Sequence, residues 1–139
     1  MPSKRREVRE SALLLSFETL FRNDTPEEII ESSKETEEIK ADDEVVEIVS
    51  NIYEKRDELD GIISEFSDKR AVNRIPKINL AILRLAIYEA LYDDKVPVNV
   101  AISEAVSLAQ KYAQEPDIAF VNGVLGAFSK KIENENKDK

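Results

Sequence analysis

The chain has 139 residues with three Gly, five Pro and neither Cys nor His. It is about one domain long, poor in material for a turn-rich β protein, and without disulfides, thiol nucleophiles, imidazole bases or the usual zinc ligands. Hydrophobic residues at 42% and charged residues at 35% fit a folded helical domain rather than a disordered chain. No apolar run approaches the roughly 18 residues that cross a bilayer, and Glu10 and Ser11 interrupt any signal-like stretch after the basic start. Twenty-nine Asp and Glu could supply an acid/base pair or a hard-cation site, but they do not alternate around a Gly as a metal loop requires. The reading is therefore no catalysis, no metal, no cofactor, no membrane, and a cytoplasmic location.

Charge is distributed unevenly. The first ten residues hold Lys4, Arg5, Arg6 and Arg9 against Glu7 and Glu10, a net of +2 in a chain that carries −9. Arg5, Arg6 and Arg9 fall at i, i+1 and i+4, so on a helix they fan over one side of its first turn. Cations there oppose the macrodipole, at a cost of about a few tenths of a kcal/mol each. Arginine forks and a lysine suit a phosphate backbone; the alternative is a solvated polar start.

Val8, Ala12, Leu15 and Thr19 recur at helical spacing, flanked by Leu13, Leu14, Phe17, Leu20 and Phe21, which predicts a first, well-buried helix over residues 5 to 22. Thr25, Pro26, Glu27 and Glu28 combine an N-cap, a proline at the first helical position and a Glu three after the cap, the signature of a capping box for a short second helix. Residues 24 to 47 hold eleven acids and two lysines and read as a solvated face and linker. Val45, Val49, Ile52, Leu59, Ile63 and Phe66 make one stripe, with Arg56 at the position it skips, so residues 43 to 66 are expected to form a single amphipathic helix. Residues 67 to 76, with charges, Asn73 and a proline, read as a connection with room for one helical turn, dividing the chain into halves.

From residue 80 to 92 only Arg84 and Glu89 interrupt apolar side chains, the pattern of a helix surrounded by others. Five apart, the two charges do not face each other, so each is expected to pair elsewhere or reach the surface. Pro97 precedes a helix whose stripe Ile102, Ala105, Val106, Ala109 and Tyr112 is rich in small residues. Glu115, Pro116 and Asp117 break it, and Asp117 is expected to cap a last helix through Phe120, Val121, Val124, Leu125 and Phe128. Gly123 and Gly126 inside that helix each cost about 1 kcal/mol relative to Ala, which predicts backbone contact with a neighbour. The charged tail after Ile132 is expected to fray. The sum is an all-α fold of six or seven helices in two small bundles.

Three blocks then stand out: KRREVRESALLLSFETLF at 4 to 21, NRIPKINLAILRLAIYEALY at 73 to 92 and VPVNVAISEAVSLAQKYAQEPDIAFVNGVL at 96 to 125. LR-x-A-x-YE, then P-x-x-VAI-x-EAV-x-LA, then FVNGVL, in this order, resemble the NusB family of bacterial transcription antitermination factors across essentially the whole chain. The resemblance implies a non-enzyme of two helical bundles that binds the boxA element of nascent single-stranded RNA together with NusE, the ribosomal small-subunit protein, and helps a transcribing RNA polymerase resist termination on rRNA operons. It assigns RNA contact to Lys4, Arg5, Arg6, Arg9 and Phe120, and reception of NusE to Phe17, Phe21 and Glu89. Phe120 near a helix start would add an aromatic ring for a base and unsatisfied N–H groups for phosphate, unless it is an ordinary core residue. Val8, Ser103 and Gly126 depart from the family's usual Ala, Asn and Asp. Two other readings stand beside this one: a protein-interaction module that has lost RNA affinity, consistent with the net charge of −9, and a stand-alone RNA-binding domain like that of rRNA cytosine methyltransferases. Wide apolar faces also leave room for a homodimer that occludes the arginine arm.

Overall fold

The computed structural model describes residues 2–21, 25–33, 42–67 and 70–137, with backbone alone at 2–5, 32–33 and 136–137. Among these residues there are seven α-helices, one 3₁₀ turn and no strand. They belong to two compact units, Met1–Asp57 and Glu58–Lys139.

The first unit packs α1 (Pro2–Phe21), α2 (Pro26–Ser33) and α3 (Asp43–Glu54) pairwise. α1 buries Val8, Ala12 and Leu15 along its stripe and Leu13 beside it; a fully buried side chain of this size contributes about 1.5–3 kcal/mol. The capping box forms as the spacing predicts. The Glu28 N–H donates to Thr25 Oγ1 at 3.3 Å, and the Thr25 N–H donates to Glu28 Oε1 at 3.2 Å. Pro26 takes the first helical position, where a missing N–H costs nothing. α3 is capped by Asp42, whose Oδ1 accepts from the Val45 N–H at 3.0 Å, and it buries Val45, Val49 and Ile52. Of the acidic stretch, Glu27, Glu28, Glu31, Asp42, Asp43, Glu44 and Glu47 are exposed, and residues 34–41 lie outside the described residues.

The single helix expected over 43 to 66 is two. It breaks at Lys55, which sits at φ −95° and ψ 10°, and α4 (Arg56–Phe66) follows. The Arg56 guanidinium donates to the Tyr53 carbonyl at 2.7 Å and lies over the Tyr53 ring, 4.1 Å from its centroid. In a continuous helix that carbonyl would accept from the backbone four residues on. The position that the apolar stripe skips is therefore where the helix ends, and the boundary between the units falls here rather than in residues 67 to 76.

In the second unit a 3₁₀ turn (Val72–Arg74) leads into α5 (Lys77–Tyr92), which packs on α6 (Val98–Tyr112) and α7 (Glu115–Lys137), themselves in contact. Every residue of α5 from 79 to 89 is buried. Its one arginine is neutralised across helices: Arg84 Nε and Nη2 donate to Asp60 Oδ1 and Oδ2, each at 2.7 Å, a bidentate fork on α4. The Asn79 amide is also fully buried and meets no hydrogen-bonding partner among the described residues, a cost of about 1–3 kcal/mol. In α6, Ala101, Ala105 and Ala109 are buried at four-residue spacing, and their small side chains let neighbouring backbones approach.

Two expectations for α7 are corrected. The helix begins at Glu115, because the Gln114 carbonyl accepts from the N–H of Asp117 at 2.9 Å and of Ile118 at 3.1 Å. Pro116 thus lies within the first turn, where it displaces no bond, and Asp117 is a first-turn residue rather than the cap. Among the described residues Gly123 and Gly126 meet no neighbouring helix closely: both are exposed, and a Cβ on either would meet nothing within 4 Å. Helical backbone runs past Ile132 to Lys137, and the last two residues lie outside the described ones.

Candidate nucleic-acid interface

Helical backbone runs from Pro2, so the basic start is the first turns of α1 rather than an arm ahead of it. The side chains of Lys4 and Arg5 lie outside the described residues. Arg6 and Arg9 differ in burial, Arg6 being exposed and Arg9 only 6% exposed, and both are engaged within the chain. Val8, the departure in this block, is buried, so it alters the core side of α1 and not the charged side.

At the other end of α1, Phe17 and Phe21 meet edge to face with ring centroids 4.7 Å apart. Phe17 is half-buried, and Phe21 is 60% exposed, a large apolar area left in water. Glu89, in the second unit, is 5% exposed and engaged within the chain. Tyr92 follows one turn later, and its phenol donates to the Glu58 carboxylate at 2.7 Å. That hydrogen bond is the main reason the Tyr92 pKa lies above the ordinary tyrosine value, with partial burial and the Glu58 charge adding to it.

Phe120 is half-buried on α7. The N–H groups at the start of that helix do not supply the phosphate site expected beside it. Those of Asp117 and Ile118 go to the Gln114 carbonyl, Pro116 has none, and the carboxylates of Glu115 and Asp117 occupy the first turn. A cation comes from elsewhere: the Arg70 guanidinium lies over the Phe120 ring, 4.4 Å from its centroid. Sequence reasoning passed over Arg70 as part of a connection. The available signal was charge, since residues 67 to 77 hold Lys69, Arg70, Arg74 and Lys77 against Asp68 alone, a net of +3. Ser103 and Gly126, the other departures, are exposed, so neither perturbs the core.

The NusB family model matches residues 6–130. The chain belongs to the NusB family. Its members are transcription antitermination factors and not enzymes. The NusB protein of Acetivibrio thermocellus is 39% identical over 141 residues, covering 96% of this chain and 97% of that protein. That of Ruminiclostridium cellulolyticum is 42% identical over 128 residues, covering 91% and 88%. Among solved structures, T. maritima NusB matches with a TM-score of 0.76 at 29% identity, covering 91% of this chain and 90% of that one. A crystal structure of the antitermination factors NusB and NusE in complex with dsRNA matches with a TM-score of 0.81 at 27% identity, covering 94% and 99%. As in these NusB structures, the fold here is all-α.

Proposed function

We propose that this NusB-family chain acts in the cytoplasm as an RNA-binding adapter: it takes up a boxA-type element of nascent single-stranded RNA together with NusE and supports transcription of rRNA operons by a polymerase that would otherwise terminate. The observation that carries the reading is the similarity, over 94% of this chain, to a structure of NusB and NusE in complex with dsRNA, which supports RNA and NusE as the ligands; the single-stranded boxA form is this proposal's own. The charge pattern is consistent with it, since an exposed Arg6 sits in the first turns of α1, on a net +2 start, in a chain of net −9. Lys4, Arg5, Arg6 and Arg9 on the first unit and Phe120 on the second are the RNA-contact candidates. Phe17, Phe21 and Glu89 are the NusE candidates, with Phe21 presenting the largest fraction of its surface. A homodimer that covers the basic start would be an inactive reserve of the same protein.

The test is a titration of labelled boxA-type RNA at several salt concentrations, with and without NusE. Replacing Arg5 and Arg6 with Gln should lower the slope of log affinity against log salt by roughly 0.7 for each phosphate that is no longer neutralised and leave the thermal transition in place. Arg9→Gln should lower stability, because it removes one member of a buried interaction. NusE and RNA should each strengthen binding of the other by the same factor, with a coupling of about 1–3 kcal/mol. Parent-like RNA binding by the Arg5/Arg6 variant refutes the role of the basic start. The net charge of −9 favours one other reading, a protein-only module, and absence of RNA binding even with NusE would establish it.

A further inference from the structure

We infer that the start of α5 is a binding site for one buried water molecule, bonded to the Asn79 amide and to first-turn N–H groups, which caps the helix in place of a side chain. The site belongs to the second unit and does not depend on whether the chain binds RNA.

The first support is the amide itself. Asn79 is 0% exposed, and neither its Oδ1 nor its Nδ2 meets a hydrogen-bonding partner among the described residues. The other buried polar side chains of the second unit are all engaged: Arg84 with Asp60, Ser67 Oγ with the Arg70 carbonyl, and Glu89 within the chain. A buried carboxamide with its acceptor and both donors idle is an exception among folded proteins. Ordered water is the common way in which such groups are satisfied.

The second support is how α5 begins. A capping box pairs the residue before a helix with the one three further on. In α2 these are Thr25 and Glu28, and both halves form, at 3.3 and 3.2 Å. In α5 they are Pro76 and Asn79. Pro76 has no side-chain oxygen to accept with and no N–H to offer, and it makes no side-chain cap. Its carbonyl accepts from the Leu80 N–H at 3.0 Å, so the backbone ladder starts there, and the N–H groups of Ile78 and Asn79 lie ahead of it. Side chains on a helix lean toward its N-terminus, which sets the Asn79 amide beside those N–H groups. Backbone donors, amide donors and one amide acceptor therefore converge on a buried point.

The converging groups select the ligand. It must accept from N–H groups and also donate to Oδ1, so it carries both a lone pair and a hydrogen. A metal cation would face the positive end of the helix dipole, with no acid in the first turn and in a segment that also holds Arg74 and Lys77. An inorganic anion would turn its oxygens on Oδ1 and lose its hydration beside a fully buried amide. Water is neutral, small enough, and able to form the roughly three bonds that a buried molecule of this kind typically makes.

The test uses the full-length protein without RNA or NusE. A crystal structure that shows ordered solvent should place a water within roughly 2.7–3.2 Å of Oδ1 or Nδ2. In solution, the Asn79 side-chain NH2 should show nuclear Overhauser contacts to water with the sign of a long-lived site. Leucine has the shape of asparagine without its polar atoms, so Asn79→Leu takes two partners from the water, and Tm should fall by roughly 2–8 °C. A Tm equal to or above that of the parent would mean that an unpaired amide had been removed, and it overturns the inference. A crystal structure in which the Asn79 amide is dry, or bonded directly to another part of the chain, overturns it too. Should Asn79→Leu fail to fold, the two measurements on the parent decide, and absence of water from both rejects the site.

Discussion

Asp60→Ala tests how α5 is held against α4. The substitution deletes the acceptor of two 2.7 Å charge-assisted bonds and leaves the Arg84 guanidinium facing a protein surface, with its side chain only 9% exposed. Removing one partner of a fully buried pair costs about 3–5 kcal/mol, most of it the penalty for an uncompensated charge. The Asp60 side chain keeps 23% of its exposure, so water reaches the vacated position, and the expected loss is about 2–3 kcal/mol. For a domain of this size that corresponds to a fall in Tm of roughly 4–12 °C. Asp60→Leu with Arg84→Met replaces both charges with apolar groups of similar length and should cost about 1 kcal/mol or less. Urea denaturation followed by circular dichroism gives each value from the midpoint at constant m, and the cycle of single and double variants gives the coupling. A cost below about 1 kcal/mol for Asp60→Ala, or a double variant equal to the sum of the singles, would show that the fork does not couple the two helices.

Gly123→Ala and Gly126→Ala should each stabilise α7 by about 1 kcal/mol, because a Cβ at either position meets nothing within 4 Å; a lower urea midpoint for either variant would reveal a close neighbour. The ionisation of Tyr92 should lie above the ordinary tyrosine value, and Glu58→Gln should bring it back toward that value, as read by absorbance at 295 nm. Since the folded pKa is raised, the phenol's contribution to stability is complete below about pH 10 and disappears as pH rises through the higher folded value; Tyr92 is exposed, so the effect on the urea midpoint is small.

What could be read in advance was what depends on local pattern. The capping box at Thr25 and Glu28 needs only residues three apart, and it forms as spaced. The all-apolar run of α5 requires helices around it, and its Arg84 requires a distant partner, although nothing local names Asp60. The errors arose where a side chain competes with the backbone. Arg56 was visible as a gap in a stripe, but its capture of the Tyr53 carbonyl depends on a rotamer and not on a period. Gly123 and Gly126 were assigned a packing role because glycine inside a helix is costly, yet the structure leaves them in open space, and nothing in it explains them. At the candidate interface the basic start was legible as charge, but the burial of Arg9 and the meeting of Arg70 with Phe120, fifty residues apart in sequence, are products of tertiary packing.

The break at Lys55 has a consequence for the order in which the chain folds. Residues 43 to 66 carry one apolar stripe, and helix formation in an unfolded chain, complete in about 0.1–1 μs, responds to local propensity before any long-range packing exists. A continuous helix of this length, about 36 Å, is therefore an early competitor of the native arrangement. A chain that formed it would have to open at Lys55 for α3 and α4 to take their native bounds. The capture of the Tyr53 carbonyl by Arg56 is a local event, available as early as the helix itself, and it favours a break at this point without waiting for either core to assemble.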